Sequence, residues 1–155
     1  MDGPDTRGQA ALGVSVCAVK VVILCGGQGT RLREETEFRP KPMVEVGGRP
    51  ILWHIMQHYS GYGFHDFVLC LGYKGDVIRE YFLDYLAMNS DVRITFATQT
   101  VEYLDRIEAE TAWTVTLCET GASTGTGGRL TKAKRHLDGQ TFLWTYGDGV
   151  SNVDI

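Results

Sequence analysis

Gly26, Gly27 and Gly29 fall within four consecutive positions, Thr30 and Arg31 follow at once, and Lys41 stands a short way on between Pro40 and Pro42. Such a loop suits an anion. A side chain at any of the three glycines would hold a phosphate away from the backbone N–H groups, and glycine alone takes positive φ without penalty. Arg31 adds a planar fork for phosphate oxygens. Lys41 adds a compact charge whose backbone is stiffened by a proline on either side, the preorganisation that electrostatic catalysis requires. The set points to chemistry on a nucleoside triphosphate. Near the other end of the sequence Asp148 lies between Gly147 and Gly149, a small, accessible carboxylate of the kind Mg²⁺ accepts alongside waters and substrate phosphates. A turn aspartate bonding its own backbone is the competing reading of that triplet.

These residues need a scaffold, and the hydrophobic pattern supplies one. Residues 19–24 are a short β-branched run that reads as a buried strand leading directly into the glycines. Pro50 then precedes Ile51, Leu52, Ile55, Met56 and Tyr59 at helical spacing, with Gly61 and Gly63 as the stop. Residues 67–71 read as a second buried strand. Val77, Ile78, Tyr81, Phe82, Tyr85 and Leu86 predict one helix, whose aromatic stripe faces the core. Residues 91–96 alternate like a third strand, and residues 113–118 and 141–146 predict two more. This alternation implies an α/β fold: a Rossmann-like, open, mostly parallel sheet with helices on both faces. In such sheets ligands sit beyond the carboxyl ends of the strands, where both the glycine loop and Asp148 are expected.

The 155 residues, 43% hydrophobic, suffice for one domain with a real core. We expect residues 1–17 to be a disordered extension and residues 18–155 to form the domain. A net charge of −4 and a pI near 5.5 argue against a nucleic-acid-binding surface. Lys132, Lys134 and Arg135, the one basic cluster, read as the wet side of a helix. Cys17, Cys25, Cys70 and Cys118 lack C-x-x-C spacing and read as free, mostly buried thiols of a reducing, cytoplasmic compartment. The first sixteen residues lack a basic start and a long apolar core, so neither a signal peptide nor a membrane span is expected. His54 and His58 have metal-ligand spacing without the accompanying acidic pattern, and read as half-exposed helix residues.

The string Gly26-Gly27-Gln28-Gly29-Thr30-Arg31-Leu32, followed by Pro40-Lys41-Pro42, resembles the signature of the sugar-phosphate nucleotidylyltransferases. The similarity covers roughly residues 19 to 155. Glu34-Glu35-Thr36, the run from Arg39 to Met56, Gly72-Tyr73-Lys74-Gly75, Thr126-Gly127-Gly128-Arg129-Leu130 and Thr145-Tyr146-Gly147-Asp148-Gly149-Val150 look like the glucose-1-phosphate cytidylyltransferase branch. The resemblance implies in-line attack by a phosphate oxygen of glucose 1-phosphate on the α-phosphorus of CTP, giving CDP-glucose and pyrophosphate for the synthesis of cell-surface sugars. Arg31 would neutralise charge on the triphosphate, Lys41 would hold the phosphates near the reacting centre, and Asp148 would bind catalytic Mg²⁺.

By the same resemblance Leu24, Cys25, Gly26, Gly27, Gln28, Gly29 and Thr30 would surround base and phosphates, with Thr124, Arg129 and Gly147 completing the nucleotide site. Family members are commonly homo-oligomers, so the same is expected here. They also continue for roughly another domain's length beyond the aspartate, which makes this sequence C-terminally truncated relative to them. Three readings therefore compete: a cytidylyltransferase, a catalytically inactive nucleotide-binding domain, and the same chemistry with thymidylyltransferase specificity.

Overall fold

The computed structural model describes residues 19–27, 38–104 and 112–155. The expected extension at 1–17, with Cys17, lies outside the described residues. In chain order the elements begin with β1 (Lys20–Leu24), a 3₁₀ turn (Lys41–Met43), a short ribbon of β2 (Glu45–Val46) and β3 (Arg49–Pro50), and helix α1 (Ile51–Gly61). There follow β4 (Asp66–Leu71), α2 (Gly75–Leu83), α3 (Tyr85–Asn89) and a hairpin of β5 (Val92–Thr95) and β6 (Thr100–Tyr103). The chain then forms β7 (Thr114–Glu119), α4 (Thr126–Ala133), a second 3₁₀ turn (Lys134–His136) and β8 (Phe142–Tyr146).

β7, β4, β1 and β8 lie side by side in that order, every pairing parallel. The side chains of β1 and β4 alternate between two cores. Val21, Ile23, Phe67, Leu69 and Leu71 pack with Leu52, Ile55 and Met56 of α1 and Ile78 of α2. Val22, Leu24, Val68 and Cys70 pack on the opposite side with Ala133 of α4 and Leu137. Strands buried on both faces read as continuous apolar runs, which is why the sequence pattern located them. Each fully buried side chain of this kind contributes about 1.5–3 kcal/mol relative to exposure.

α1 starts where Pro50, at φ −58 and ψ 148, hands over to Ile51, so the proline stands one residue before the first turn. It ends at Gly61, with Gly63 at φ 87 turning the chain away. Trp113 Nε1 donates to Ser60 Oγ at 2.6 Å, tying the end of that helix to the start of β7. The aromatic stripe of α2 and α3 behaves as expected: Tyr85 is buried, and Tyr81 and Phe82 pack against the core.

Two expectations need correction. The single helix expected over Val77 to Leu86 is broken at Asp84, which sits at φ −92 and ψ 0 between α2 and α3. Aspartate is a weak helix former whose short polar side chain competes with the backbone, and the ladder is interrupted there. Residues 91–96 do not join the main sheet. Gln99, at φ 54, folds the segment back so that β5 and β6 form their own antiparallel pair, fastened by Arg93 to Glu102 at 3.1 Å. The alternation that suggested a third strand belongs to an exposed ribbon.

Candidate active site

β1, β4 and β7 run outward in one direction from β1, whereas β8 lies on the other side of β1. The order of the sheet therefore reverses beside β1, and a crevice opens beyond the carboxyl ends of the strands there. Backbone bonds carry the ladder past the strand ends and fix the loops: Gly147 N to Leu24 O at 3.0 Å, Cys25 N to Cys70 O at 3.0 Å, Thr120 N to Leu71 O at 3.0 Å and Tyr73 N to Gly26 O at 3.3 Å.

The crevice is a cleft of about 450 Å³. It is lined by Leu24, Cys25, Gly26 and Gly27 at and after the end of β1, by Thr124 and Arg129 around the start of α4, and by Lys41 and Asp148. Gln28, Gly29, Thr30 and Arg31 lie outside the described residues. Gly147, expected in the nucleotide site, does not itself line the cleft and packs against Leu24, Cys25 and Pro42, which form its floor. A Cβ added at Gly147 would stand 2.9 Å from Cys25 Sγ, 3.2 Å from Leu24 O and 3.2 Å from Pro42 Cγ. Gly147→Ala is accordingly expected to cost about 1–3 kcal/mol by overpacking, read as a lower denaturation midpoint; an unchanged midpoint would show that the floor yields.

Lys41 owes its position to the 3₁₀ turn that it opens after Pro40, closed by Met43 N to Pro40 O at 2.8 Å and Val44 N to Lys41 O at 3.0 Å. Pro42 and Met43 are buried beneath it. Its amine reaches Asp148 Oδ2 at 3.7 Å, both side chains being partly open to solvent, so the pair orients the groups more than it stabilises the fold. Thr124 caps its own loop, with Oγ1 donating to Thr120 O at 2.5 Å and accepting from Lys132 Nζ at 3.2 Å. Arg129 is only 5% exposed and is hydrogen-bonded to main-chain carbonyls around the cleft.

Pro42, Ala122, Ser123, Gly125, Thr126 and Tyr146, none of them named individually as a site residue from the sequence, also line the cleft. Tyr146 had a usable signal, since the last residue of a strand at the expected crevice must abut it. Sequence reasoning missed the burial of Thr120 as well, a polar residue whose hydroxyl donates to Leu71 O. Lys132, Lys134 and Arg135 are exposed as expected, although the lysine amine of Lys132 folds back onto Thr120 O at 2.8 Å. His54 and His58 are half-exposed on α1, as expected, and their rings pair with the carbonyls of Val46 and Val153. Among the described residues no group of three His, Cys, Asp or Glu side chains could by itself hold a metal ion, and no helix is long and apolar enough to cross a membrane.

Cys25, Cys70 and Cys118 are free and buried, as the sequence implied. Burial, reinforced by the neighbouring thiol of Cys118, pushes Cys70 from 9.0 up to about 12. Burial, with Cys70 and Asp148 acting in the same sense, raises Cys25 as well. These thiols stay protonated in the folded chain while the unfolded chain ionises near 9.0, so the unfolded state binds fewer protons and stability falls as pH rises from about 9 toward 12. Denaturant midpoints at pH 7 and pH 10 are expected to show that loss, with alkylation of Cys25 and Cys70 confined to the unfolded chain; rapid labelling of the native chain would contradict it.

Comparison with known proteins shows the family and the fold. A family model described as nucleotidyl transferase matches residues 20–131, well over half of the chain. The chain belongs to the nucleotidyl transferase family. Members similar to it include the glucose-1-phosphate cytidylyltransferase of Salmonella typhimurium, 53% identical over 139 residues, covering 88% of this chain and 53% of that protein. The probable glucose-1-phosphate cytidylyltransferase of Bacillus subtilis is 47% identical over 137 residues, with 88% and 53% covered. The chain thus spans about half the length of the curated relatives it matches. Among solved structures, HddC from Yersinia pseudotuberculosis complexed with GMP-PN superposes with a TM-score of 0.59 at 28% identity, covering 84% of this chain and 48% of that one. The nucleotidyl transferase fold of this chain is the Rossmann-like open parallel sheet that the sequence implied.

Proposed function

We propose that this chain forms the nucleotide-binding part of a glucose-1-phosphate cytidylyltransferase, which moves CMP from CTP to glucose 1-phosphate and releases pyrophosphate. The observation that carries the reading is the 53% identity to the Salmonella typhimurium enzyme across 88% of this chain. The cleft supports it: main chain at Gly26 and Gly27 faces Lys41 and Asp148 across a space of suitable size for a nucleotide.

In this reading the strand-end loop at Gly26 and Gly27 takes the phosphates, Arg31 neutralises charge on the triphosphate, and Lys41 holds the phosphate oxygens beside the reacting centre. A phosphate oxygen of the sugar phosphate attacks the α-phosphorus in line, and pyrophosphate leaves. No side chain acts as a covalent nucleophile, because orientation and charge stabilisation suffice for this transfer. Asp148 fits Mg²⁺: a hard, partly exposed carboxylate at the cleft, with no protein cage around it among the described residues, leaves the other ligand positions to water and phosphate oxygens. When bound, the ion supplies further neutralisation of the triphosphate charge. Mg²⁺ as the cofactor, a cytoplasmic setting and assembly into a homo-oligomer belong to the same proposal.

The test is pyrophosphate release by the purified chain with Mg²⁺ and glucose 1-phosphate, comparing CTP, dTTP and UTP, alongside calorimetric binding of each nucleotide. CTP is expected to bind in preference to the other two and to support release. Equal binding of all three would remove the cytidylyl assignment, and CTP binding without release would reduce the chain to a nucleotide-binding domain.

A further inference from the structure

Arg129 projects from the first turns of α4 into the space between three strand-end segments. Nη1 donates to Leu71 O at 3.0 Å and to Thr120 Oγ1 at 2.5 Å, while Nη2 donates to Gly26 O at 2.8 Å and to Ala122 O at 3.3 Å. Four of the five N–H donors of a guanidinium are thereby committed to the protein itself. The acceptors come from the segment after β1, the end of β4 and the loop after β7, so one side chain joins all three.

Two glycines make room for it. A Cβ at Gly26 would fall inside the guanidinium group, and one at Gly72 would lie 2.5 Å from Nη1. Gly26 is therefore constrained from its protein side as well as from the cleft. The hydroxyl of Thr120 completes the knot by donating to Leu71 O while it accepts from Arg129. A buried cation satisfied by carbonyls and a hydroxyl in fixed positions holds those positions in return, since any loop that moved would leave the charge without its partners.

We infer that Arg129 is a positioning residue, a latch that sets the first glycine loop at Gly26 against the 120–122 loop and so shapes the nucleotide cleft through the main chain. The inference rests on the nucleotide reading above only for its consequence in binding; the latch itself is independent of any ligand. A lysine cannot replace it, because a point charge on a flexible stem cannot span four acceptors on three separate segments in fork geometry.

Three measurements on the full chain test this. In thermal unfolding, Gly26→Ala lowers the midpoint in the otherwise unchanged chain and far less in an Arg129→Ala background, where the added methyl enters vacated space; Arg129→Gln serves as the second background should alanine not fold. Equal losses in both backgrounds would overturn the latch, whether or not a nucleotide binds. In calorimetric titrations, Arg129→Lys and Arg129→Ala both weaken CTP binding by at least about tenfold, through misplacement of the loop. The salt dependence of the remaining affinity stays as in the parent, because no ionic contact to phosphate has been lost. A lysine variant that binds like the parent, or a flattened salt dependence, would make Arg129 a direct phosphate contact and overturn the positioning role. A parent chain that binds no CTP would sink the nucleotide reading and the role in binding together, and the thermal cycle would still decide the latch.

Discussion

Asp148→Asn is expected to abolish the divalent-metal dependence of CTP binding and to lower pyrophosphate release by at least about a hundredfold. The carboxylate stands at the carboxyl end of β8, at the reversal of strand order, with Lys41 as its counter-cation at 3.7 Å. Its side chain is 44% exposed, so the fold does not depend on it and the amide should leave the denaturation midpoint nearly unchanged. Loss of one negative charge removes the hard oxygen ligand and also releases the Lys41 amine. Binding measured with and without Mg²⁺ separates the two effects, because a metal dependence that survived the change would take Asp148 out of the site.

The second large effect is on stability. Phe67→Ala should cost about 3–5 kcal/mol, the range for deleting a large aromatic from a close-packed core. Phe67 is 0% exposed in the central strand β4, faces the α1 side of the sheet and meets Trp113 edge to face at 5.9 Å. A domain with about 5–15 kcal/mol in total would be left near the limit of folding. Leu104→Ala, at a position 49% exposed, is the matched control and should change the midpoint little. A cost below about 1 kcal/mol at Phe67 would mean that the helices close over the gap, against the rigidity expected of such an interior.

How much of this was legible depended on which forces act locally. β1 and β4 were readable because strands covered on both faces are apolar throughout, β7 and β8 because they are short runs rich in β-branched and aromatic residues, and α1 because its proline and glycines mark its ends. The ribbon of β5 and β6 was not, because alternation has the same period in an exposed hairpin as in a half-buried strand, and the turn residue Gln99 carries no strong signal. The break at Asp84 was hidden for a similar reason, since apolar spacing continues across it. At the cleft, Gly26, Lys41 and Asp148 could be singled out by residue type alone, whereas the commitment of Arg129 to Leu71, Thr120, Gly26 and Ala122 could not. Those partners are scattered along the sequence, and only the completed sheet brings them to one point.

The pairing of β1 with β8, which sets Lys20 beside Phe142 and Leu24 beside Tyr146, also bears on the order of events in folding. β1 can meet β4 after closing a modest loop, but it meets β8 only after nearly all the intervening chain has been gathered, and the entropy of that closure must be met before the contact forms. The wall of the cleft that carries Asp148 therefore arrives with the last strand. In refolding experiments, recovery of nucleotide affinity should trail the recovery of far-ultraviolet circular dichroism, making ligand capture a clock for completion of the sheet.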